Sequence, residues 1–351
     1  MTNSLPKTMR AWQYATVTNG LENSLKLNTS AQVPSPKQNQ HLVKISSVAL
    51  NPVDYKPAEI SLFRRFVIPN PATPGIDFAG TIITPAPGSN LKTGDTVFGV
   101  GVSPFAGGCL AEYAVVGTDA TVRMPEGLSM EQASTIGVAG LTAYQSIVPH
   151  IPKSGGCRVF INGGSGGTGV FGIQIAKTLN CEVITTCSGR NVELCRSLGA
   201  DEVVDYTKSK DLADALAKTT NDSRRKVDHI VDNVGSNPRL YYQAHEYSGP
   251  NARFITIAGD ASLRAVLENL KMRLWPGWLG GGKRKIVSFF AKTDVSELDR
   301  IAKWMAEGRV KPVVDERFAF EEVPKAFEKL KTGRARGKIV VAVQGEKQTK
   351  Y

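Results

Sequence analysis

Along the first third of the chain the apolar positions come in short runs separated by turn residues: HLVKISSVAL (41–50), GTIITPAPG (80–88), GDTVFGVG (94–101) and LAEYAVV (110–116). Runs of this length, rich in β-branched residues and bounded by Gly, Pro and Asp, predict an irregular all-β module. After Pro125 the pattern changes. Ser129 and Gln132 have capping-box spacing, and SMEQASTIGVAGLTAYQSIV (129–148) predicts one largely buried helix. Strand-like and helix-like segments then alternate. CRVFIN, EVITTC, EVVDY, VDHIVDNV, ARFITIAG and RKIVSFF read as continuous apolar strands. TGVFGIQIAKTLN and NVELCRSLGA have helical spacing, and Gly199 closes the second where a left-handed cap needs glycine. Strands apolar on both faces and separated by helices predict a doubly wound parallel sheet covered on both sides. The tail, from SELDRIAKWMAEG (296–308) to GKIVVAV (337–343), does not extend the alternation and is expected to return to the β module. The predicted organisation is therefore residues 1–128, 129–293 and 294–351, the last part completing the first.

Composition supports that reading and narrows the function. A chain of 351 residues suits two domains, and 41% hydrophobic with 21% charged residues is ordinary for a soluble globular protein. No stretch approaches ~20 uninterrupted apolar residues. The start, MTNSLPKTMRAW, lacks the apolar core of a secretion signal, so a cytoplasmic protein is expected. The net charge of +11 raises the question of nucleic acid. Lys and Arg are spread along the chain, however, with no zinc-finger spacing or RNA-binding aromatic signature beside them. A basic surface suited to anionic small ligands follows. Five cysteines, an odd number without a CxxC pair, predict neither a disulfide framework nor a structural zinc site. They read as small buried hydrophobes.

The most specific chemistry lies in INGGSGGTGVFG (161–172). Gly164-Ser165-Gly166-Gly167-Thr168-Gly169 fits G-x-G-x-x-G, with a predicted strand before it and an apolar helix after it, the context a dinucleotide fingerprint requires. Missing side chains let the backbone N–H groups of Ser165, Gly166, Gly167, Thr168 and Gly169 approach a pyrophosphate. About 20 residues on, an NAD site usually places a carboxylate for the ribose 2′-hydroxyl. Here the second strand ends in Cys187-Ser188-Gly189-Arg190-Asn191. Ser188 and Asn191 can donate to a 2′-phosphate and Arg190 can supply a charged planar fork, so NADP(H) is the expected cofactor. Asn233 and Gly235, and Ile257 and Ala258, end two further strands and should line the coenzyme groove.

Taken together, 48–56 (VALNPVDYK), 74–80 (PGIDFAG), 107–115 (GGCLAEYAV), 140–144 (GLTAY), the glycine loop, 198–206 (LGADEVVDY) and 336–341 (RGKIVV) resemble the medium-chain dehydrogenase/reductase superfamily over nearly the whole length. The resemblance implies a GroES-like β domain built from both ends of the chain, a Rossmann domain between, and an active site in the cleft. Zinc alcohol dehydrogenases of this superfamily have Cys where this chain has Asn51, and His in the segment that here carries Ile76. Their third ligand and four-cysteine lobe are missing too, so a catalytic zinc, which needs three protein ligands, is not expected. What remains is similar to the zinc-independent quinone oxidoreductase and enone/enoyl reductase branch.

That likeness implies hydride transfer from NADPH to a quinone, or to the β-carbon of a C=C conjugated to a carbonyl (2-alkenals, enones). Without a metal the developing oxyanion needs donors and later a proton. Tyr55 is the first candidate and Lys56 the second, with solvent as the alternative proton source and packing as the alternative role for Tyr55. Asn51 and Asp54 are expected to hold the nicotinamide end or shape the cleft, and Thr142 to touch the nicotinamide. Tyr206 resembles the tyrosine near the 2′-phosphate, and Lys338 is expected to reach the cofactor from the tail, a structural role being the alternative for both. The histidines have no triad-like setting.

Residues 263–285 are unusual, with Trp275 and Trp278 around Pro276-Gly277, a glycine run and then Lys283-Arg284-Lys285. They are read as a substrate rim or homodimer interface in preference to a membrane contact. Two other functions stay open: a trans-acting enoyl reductase partnering a polyketide synthase, and a non-catalytic NADPH-binding sensor or scaffold.

Overall fold

The computed structural model describes residues 5–60, 68–101, 108–257 and 263–344, the side chains of 263–266 and 269 excepted. The chain forms two compact units: residues 1–141, 292–308 and 312–351, and residues 142–291 with 309–311.

The first unit opens with β1 (Thr8–Gln13) and β2 (Lys26–Gln32), an antiparallel pair. β3 (Gln40–Leu50), β4 (Asp77–Thr84), β5 (Thr96–Val100), β6 (Tyr113–Gly117) and β7 (Thr121–Arg123) follow. The long β3 pairs antiparallel with both β4 and β6, and β4 continues through β5 to β7. Val43, Ile45, Val48 and Leu50 of β3 pack with Phe78, Ile82 and Val97 in one core.

The single helix predicted over 129–148 is in fact two, Met130–Ser134 and Gly137–Ile147. The capping box is formed: Gln132 N donates to Ser129 Oγ at 3.2 Å, and Ser129 N donates to Gln132 Oε1 at 3.0 Å. The break between the helices has a tertiary cause. Asp77 Oδ1 accepts from Val138 N at 2.8 Å and so caps a second helix start. A Cβ at position 137 would stand 2.1 Å from that oxygen, which makes Gly137 obligatory there.

The second unit holds β8 (Arg158–Asn162), β9 (Glu182–Cys187), β10 (Glu202–Asp205), β11 (Val227–Asp232), β12 (Ser248–Thr256) and β13 (Lys285–Ser288). All neighbours are parallel, in the order β10-β9-β8-β11-β12-β13. This is the doubly wound Rossmann order, whose direction reverses between β8 and β11. β8 is buried throughout and β9 nearly so, as strands covered on both faces must be. The helix Gly167–Thr178, buried from Gly169 to Ala176, covers them. At the N-terminal end of β8, Arg158 is fully buried, ion-paired with Glu182 at 2.9 Å, and hydrogen-bonded to Ser223 Oγ at 2.6 Å, to Glu202 and to the Arg225 carbonyl.

Residues 309–311 are tied to this unit by Gln174, whose Oε1 accepts from Lys311 N at 2.7 Å and whose Nε2 donates to Lys311 O at 3.0 Å. The tail then adds β14 (Val314–Ala319) and β15 (Lys338–Ala342) to the first unit. β15 lies antiparallel to β3 and parallel to β14, giving a sheet ordered β14-β15-β3-β4-β5-β7 with β6 beside β3. The architecture is a GroES-like β unit made from both chain ends and a Rossmann unit.

Candidate active site and cofactor cradle

β8 delivers the chain into the glycine turn. Gly163 has φ +80°, its N–H donates to Thr186 Oγ1 at 2.9 Å, and Gly164 N donates to Thr186 O at 2.9 Å. The turn is thus pinned to the end of β9. Each glycine has its own reason. A Cβ at Gly164 would stand 2.0 Å from Thr185 Oγ1, and one at Gly169 would stand 2.2 Å from Gly163 O, so both are needed for close packing. At Gly166 a Cβ would meet only Gly163 O, at 3.5 Å. The backbone there faces open space. Gly167, Thr168 and Gly169 form the first helical turn, where N–H groups lack intrahelical acceptors and favour an anion.

The ribose end is built from the turn after β9. Asn191 is buried, and its Nδ2 donates to Ser165 Oγ at 3.1 Å and to Ser188 Oγ at 3.3 Å. This joins the two loops predicted to share one nucleotide. Asn191 Oδ1 is buried without a hydrogen-bond partner. Arg190 is exposed and, among the described residues, has no ion-pair partner. Tyr206 is half exposed at 51%, its N–H bonded to Cys187 O. One carboxylate in this region escaped the sequence reading. Asp205 lies beside Gly189, where a Cβ would come within 2.7 Å of Asp205 Oδ2. Its Oδ1 accepts from Thr207 N and Oγ1, which holds its proton affinity below the ordinary carboxylate range.

The far side of the groove is a chain of amides and one carboxylate. Asp232 Oδ1 accepts from Asn162 Nδ2 at 2.7 Å and from the N–H groups of Val234 and Gly235 at 3.0 Å. Thr186 Oγ1 donates to Asn162 Oδ1 at 2.6 Å, and Asn233 Nδ2 donates to Asn162 O at 3.1 Å. Asn233 Oδ1 is a second buried acceptor without a partner. A ribose hydroxyl can donate to either orphan acceptor, and the open backbone at Gly166 takes a pyrophosphate, so the residues present fit a nicotinamide dinucleotide. Ile257 is partly buried where its N–H bonds Asp232 O, Thr142 is buried, and Ala258 lies outside the described residues.

In the first unit the structure brings Asn51, Asp54 and Lys338 together around a residue not singled out from the sequence, Asp77. All four are buried. Asn51 Nδ2 donates to Asp77 Oδ2 at 2.7 Å, and Lys338 Nζ donates to Leu50 O at 3.0 Å, to Asp77 Oδ2 at 3.4 Å and to Asn51 Oδ1. Asp54 takes the N–H groups of Asn51 at 2.7 Å and Ile76 at 3.1 Å. These side chains therefore hold one another and the 51–55 turn. Lys338, expected to reach the cofactor, has its three N–H groups committed inside this unit. Asn51 and Asp54, expected to hold the nicotinamide end or shape the cleft, likewise brace the turn. Burial, then the Asp77 charge, raises Asp54 to about 7. Burial also raises Asp77 and lowers Lys338, each countered by the other's charge. Burial pushes the neighbouring Cys109 thiol up.

Tyr55 follows directly, partly buried, between the short helices Pro52–Asp54 and Lys56–Glu59. Its ring packs on the core and lies 5.7 Å from the Lys331 ammonium, which is bonded to Glu22 and Glu59. Lys56 is partly buried. The segment singled out for its tryptophans forms the helix Leu263–Leu274 and a turn at Gly277–Leu279, exposing Leu274 at 71% and Trp278 at 83%. No helix among the described residues is long and apolar enough to cross a membrane, and no three His, Cys, Asp or Glu side chains among them gather as metal ligands.

Comparison with known proteins agrees with this geometry. Residues 37–126 match the family model described as alcohol dehydrogenase GroES-like domain, and residues 198–341 match that described as zinc-binding dehydrogenase. The chain is 42% identical over 356 residues to trans-enoyl reductase pgmF of Aspergillus terreus (strain NIH 2624 / FGSC A1156), covering 98% of each. It is 32% identical to 2-methylene-furan-3-one reductase of Solanum lycopersicum, covering 96% of this chain and 80% of that one. Among solved structures, the quinone oxidoreductase from Coxiella burnetii matches with a TM-score of 0.81 at 29% identity, over 96% of this chain and 99% of that one. With its GroES-like sheet, its Rossmann sheet and a dinucleotide turn, the chain belongs to the medium-chain dehydrogenase/reductase superfamily, as an oxidoreductase of the quinone oxidoreductase and enone/enoyl reductase branch.

Proposed function

We propose that this chain is a zinc-independent, NADPH-dependent reductase of quinones or of C=C bonds conjugated to a carbonyl. The observation that carries the cofactor assignment is the turn after β9. It offers the hydroxyl of Ser188, positioned by the Asn191 amide, and the exposed guanidinium of Arg190; the nearby Asp205 commits Oδ1 to Thr207, and its Oδ2 is buried without a hydrogen-bond partner beside Gly189. A 2′-phosphate suits that donor set, whereas the turn itself offers a 2′-hydroxyl no carboxylate. When bound, NADPH supplies the hydride. The first-turn amides of Gly167, Thr168 and Gly169 hold the pyrophosphate against the helix N-terminus. Tyr55 and Lys56 are the proposed donors to the carbonyl oxygen on which negative charge develops, and Tyr55 passes the proton. The zinc-free part of the reading rests on Asn51 and Ile76 at the positions of metal ligands in zinc relatives. The Asn51 amide is moreover committed to Asp77 and Lys338.

The test is NADPH oxidation with a quinone, a short 2-alkenal and a saturated ketone, each with a chelator present. Turnover of the first two that survives the chelator supports the reading; turnover confined to the ketone, or abolished by the chelator, contradicts it. A second reading is favoured by the 42% identity to a trans-enoyl reductase over 98% of both chains. In it the substrate is an enoyl thioester on a carrier protein of a polyketide synthase. A kcat/KM at least tenfold higher for a carrier-bound enoyl thioester than for the same acyl group on a small thiol would favour it.

A further inference from the structure

Two of the five cysteines meet. Cys157 and Cys181 each stand one residue before strands in register, since Arg158 of β8 pairs with Glu182 of β9. Glu182 N donates to Cys157 O at 2.9 Å, which fixes the two backbones side by side. The Sγ atoms are 3.1 Å apart, both thiols are free and both side chains are buried. That separation is about 1 Å beyond a disulfide bond of ~2.05 Å. The cover is thin. The preceding turn has Gly155 at φ +69° and Gly156 at φ +76°, and a Cβ at Gly156 would meet nothing within 4 Å. Of the two side chains, Cys157 keeps 6% of its surface exposed and Cys181 1%.

The charged groups around the pair favour one thiolate. The two thiols share one hydrogen bond in which either sulfur can donate; with Cys157 as the donor, and with the Lys177 ammonium, itself 2.8 Å from Asp201, Cys181 is lowered against its desolvation. The same donation raises Cys157. Asp228, whose Oδ2 accepts from Arg158 N at 2.8 Å, is the opposing charge on the β11 side. Cys181 is thus the attacking sulfur and Cys157 the resolving one.

We propose that Cys157 and Cys181 are an oxidant-sensitive dithiol that hydrogen peroxide closes to a disulfide, stapling β8 to β9. The Cys181 thiolate attacks one peroxide oxygen, the O–O bond breaks, and hydroxide leaves a sulfenic acid on Cys181. Cys157, as thiolate, attacks that sulfur; the S–S bond forms, the S–O bond breaks and a second hydroxide departs. The two thiol protons convert both hydroxides to water, so two thiols lose two electrons and one peroxide becomes two waters. The bond closes a loop through the helix Gly167–Thr178 and constrains the unfolded chain, so the oxidised protein melts higher.

The test treats the full chain with hydrogen peroxide, quenches it, counts thiols under denaturing conditions and maps cross-linked peptides by mass spectrometry. Expected are three thiols remaining of five, a Cys157–Cys181 cross-link, a melting temperature several degrees higher, and full reversal by dithiothreitol. Cys157→Ser should stop at a sulfenic acid on Cys181 that dimedone traps, and Cys181→Ser should leave Cys157 a thiol. Five thiols surviving, a Cys187–Cys195 cross-link in place of this one, or a lowered melting temperature overturns the proposal. Should a serine variant fail to fold, the wild-type cross-link map decides.

Discussion

The buried cluster around Asp77 in the first unit and the cofactor groove of the second treat buried polarity in opposite ways. In the first, formal charges on Asp54, Asp77 and Lys338 are closed in with Asn51, and their hydrogen-bonding groups are directed at one another or at nearby backbone. In the second, the cofactor groove is lined mostly by neutral amides and hydroxyls, and two of its buried acceptors, on Asn191 and Asn233, have no protein partner. A self-satisfied cluster braces a loop. A cluster with orphan acceptors is built for something to complete it, because an unpaired buried acceptor costs stability that a ligand's donor recovers.

Breaking the braced cluster should have the largest effect. Asp77→Ala leaves the Lys338 ammonium buried without its partner and removes the cap on Val138, for a loss of about 3–5 kcal/mol in urea unfolding. Asn233→Ala, in contrast, should change stability by less than about 1 kcal/mol while weakening cofactor binding. Equal stability losses in the two variants would erase the distinction between the units.

The units should also differ in pH response. Asp54 is raised to about 7, against an ordinary carboxyl near ~3.9. The folded protein keeps that proton where the unfolded chain has lost it, so this contribution falls as pH rises from about 4 to about 7. His229, in the second unit, is lowered to about 4 by burial foremost, against an ordinary ~6.5. The unfolded chain takes up a proton first, so its contribution is lost as pH falls from about 6.5 to about 4. Each is worth about 3–4 kcal/mol across its window. Unfolding free energies across that range should lose the first slope in Asp54→Asn and the second in His229→Gln; an unchanged slope in either variant refutes its assignment.

Smaller effects sharpen the cradle. Gly166→Ala should fold normally, since its Cβ meets only Gly163 O at 3.5 Å, yet raise the Kd for NADPH at least tenfold. Gly169→Ala should damage both, because its Cβ would stand 2.2 Å from Gly163 O. Arg190→Glu should leave the melting temperature in place and cost about 1–3 kcal/mol of NADPH binding with little change for NADH. Equal losses for both cofactors would remove the basis for NADPH preference.

Much of this was legible in the sequence. Short apolar strands, the glycine turn and the tail's change of pattern are local signals, and local signals survive in one dimension. Asp77 was not legible as the hub of the buried cluster. It sits in the quoted PGIDFAG segment, but its partners Asn51, Val138 and Lys338 are 26, 61 and 261 positions away. The same residue split the helix predicted over 129–148, a tertiary capping contact that helical spacing does not register. The partners of Lys338 and Asn51 were hidden for the same reason, since residue type shows what a side chain can bond but not what it meets. The Cys157–Cys181 contact follows from the strand register, which a cysteine count does not contain.

For conjugated substrates the hydride is delivered to the β-carbon of the C=C and not to the carbonyl carbon, and deuterium reports this directly. NADPH carrying deuterium at the transferred position of its nicotinamide is turned over with a 2-alkenal and chelator-treated enzyme, and the product is read by NMR. The account predicts a saturated aldehyde with one deuterium on carbon 3, β to the carbonyl. An allylic alcohol with deuterium on carbon 1 would contradict it.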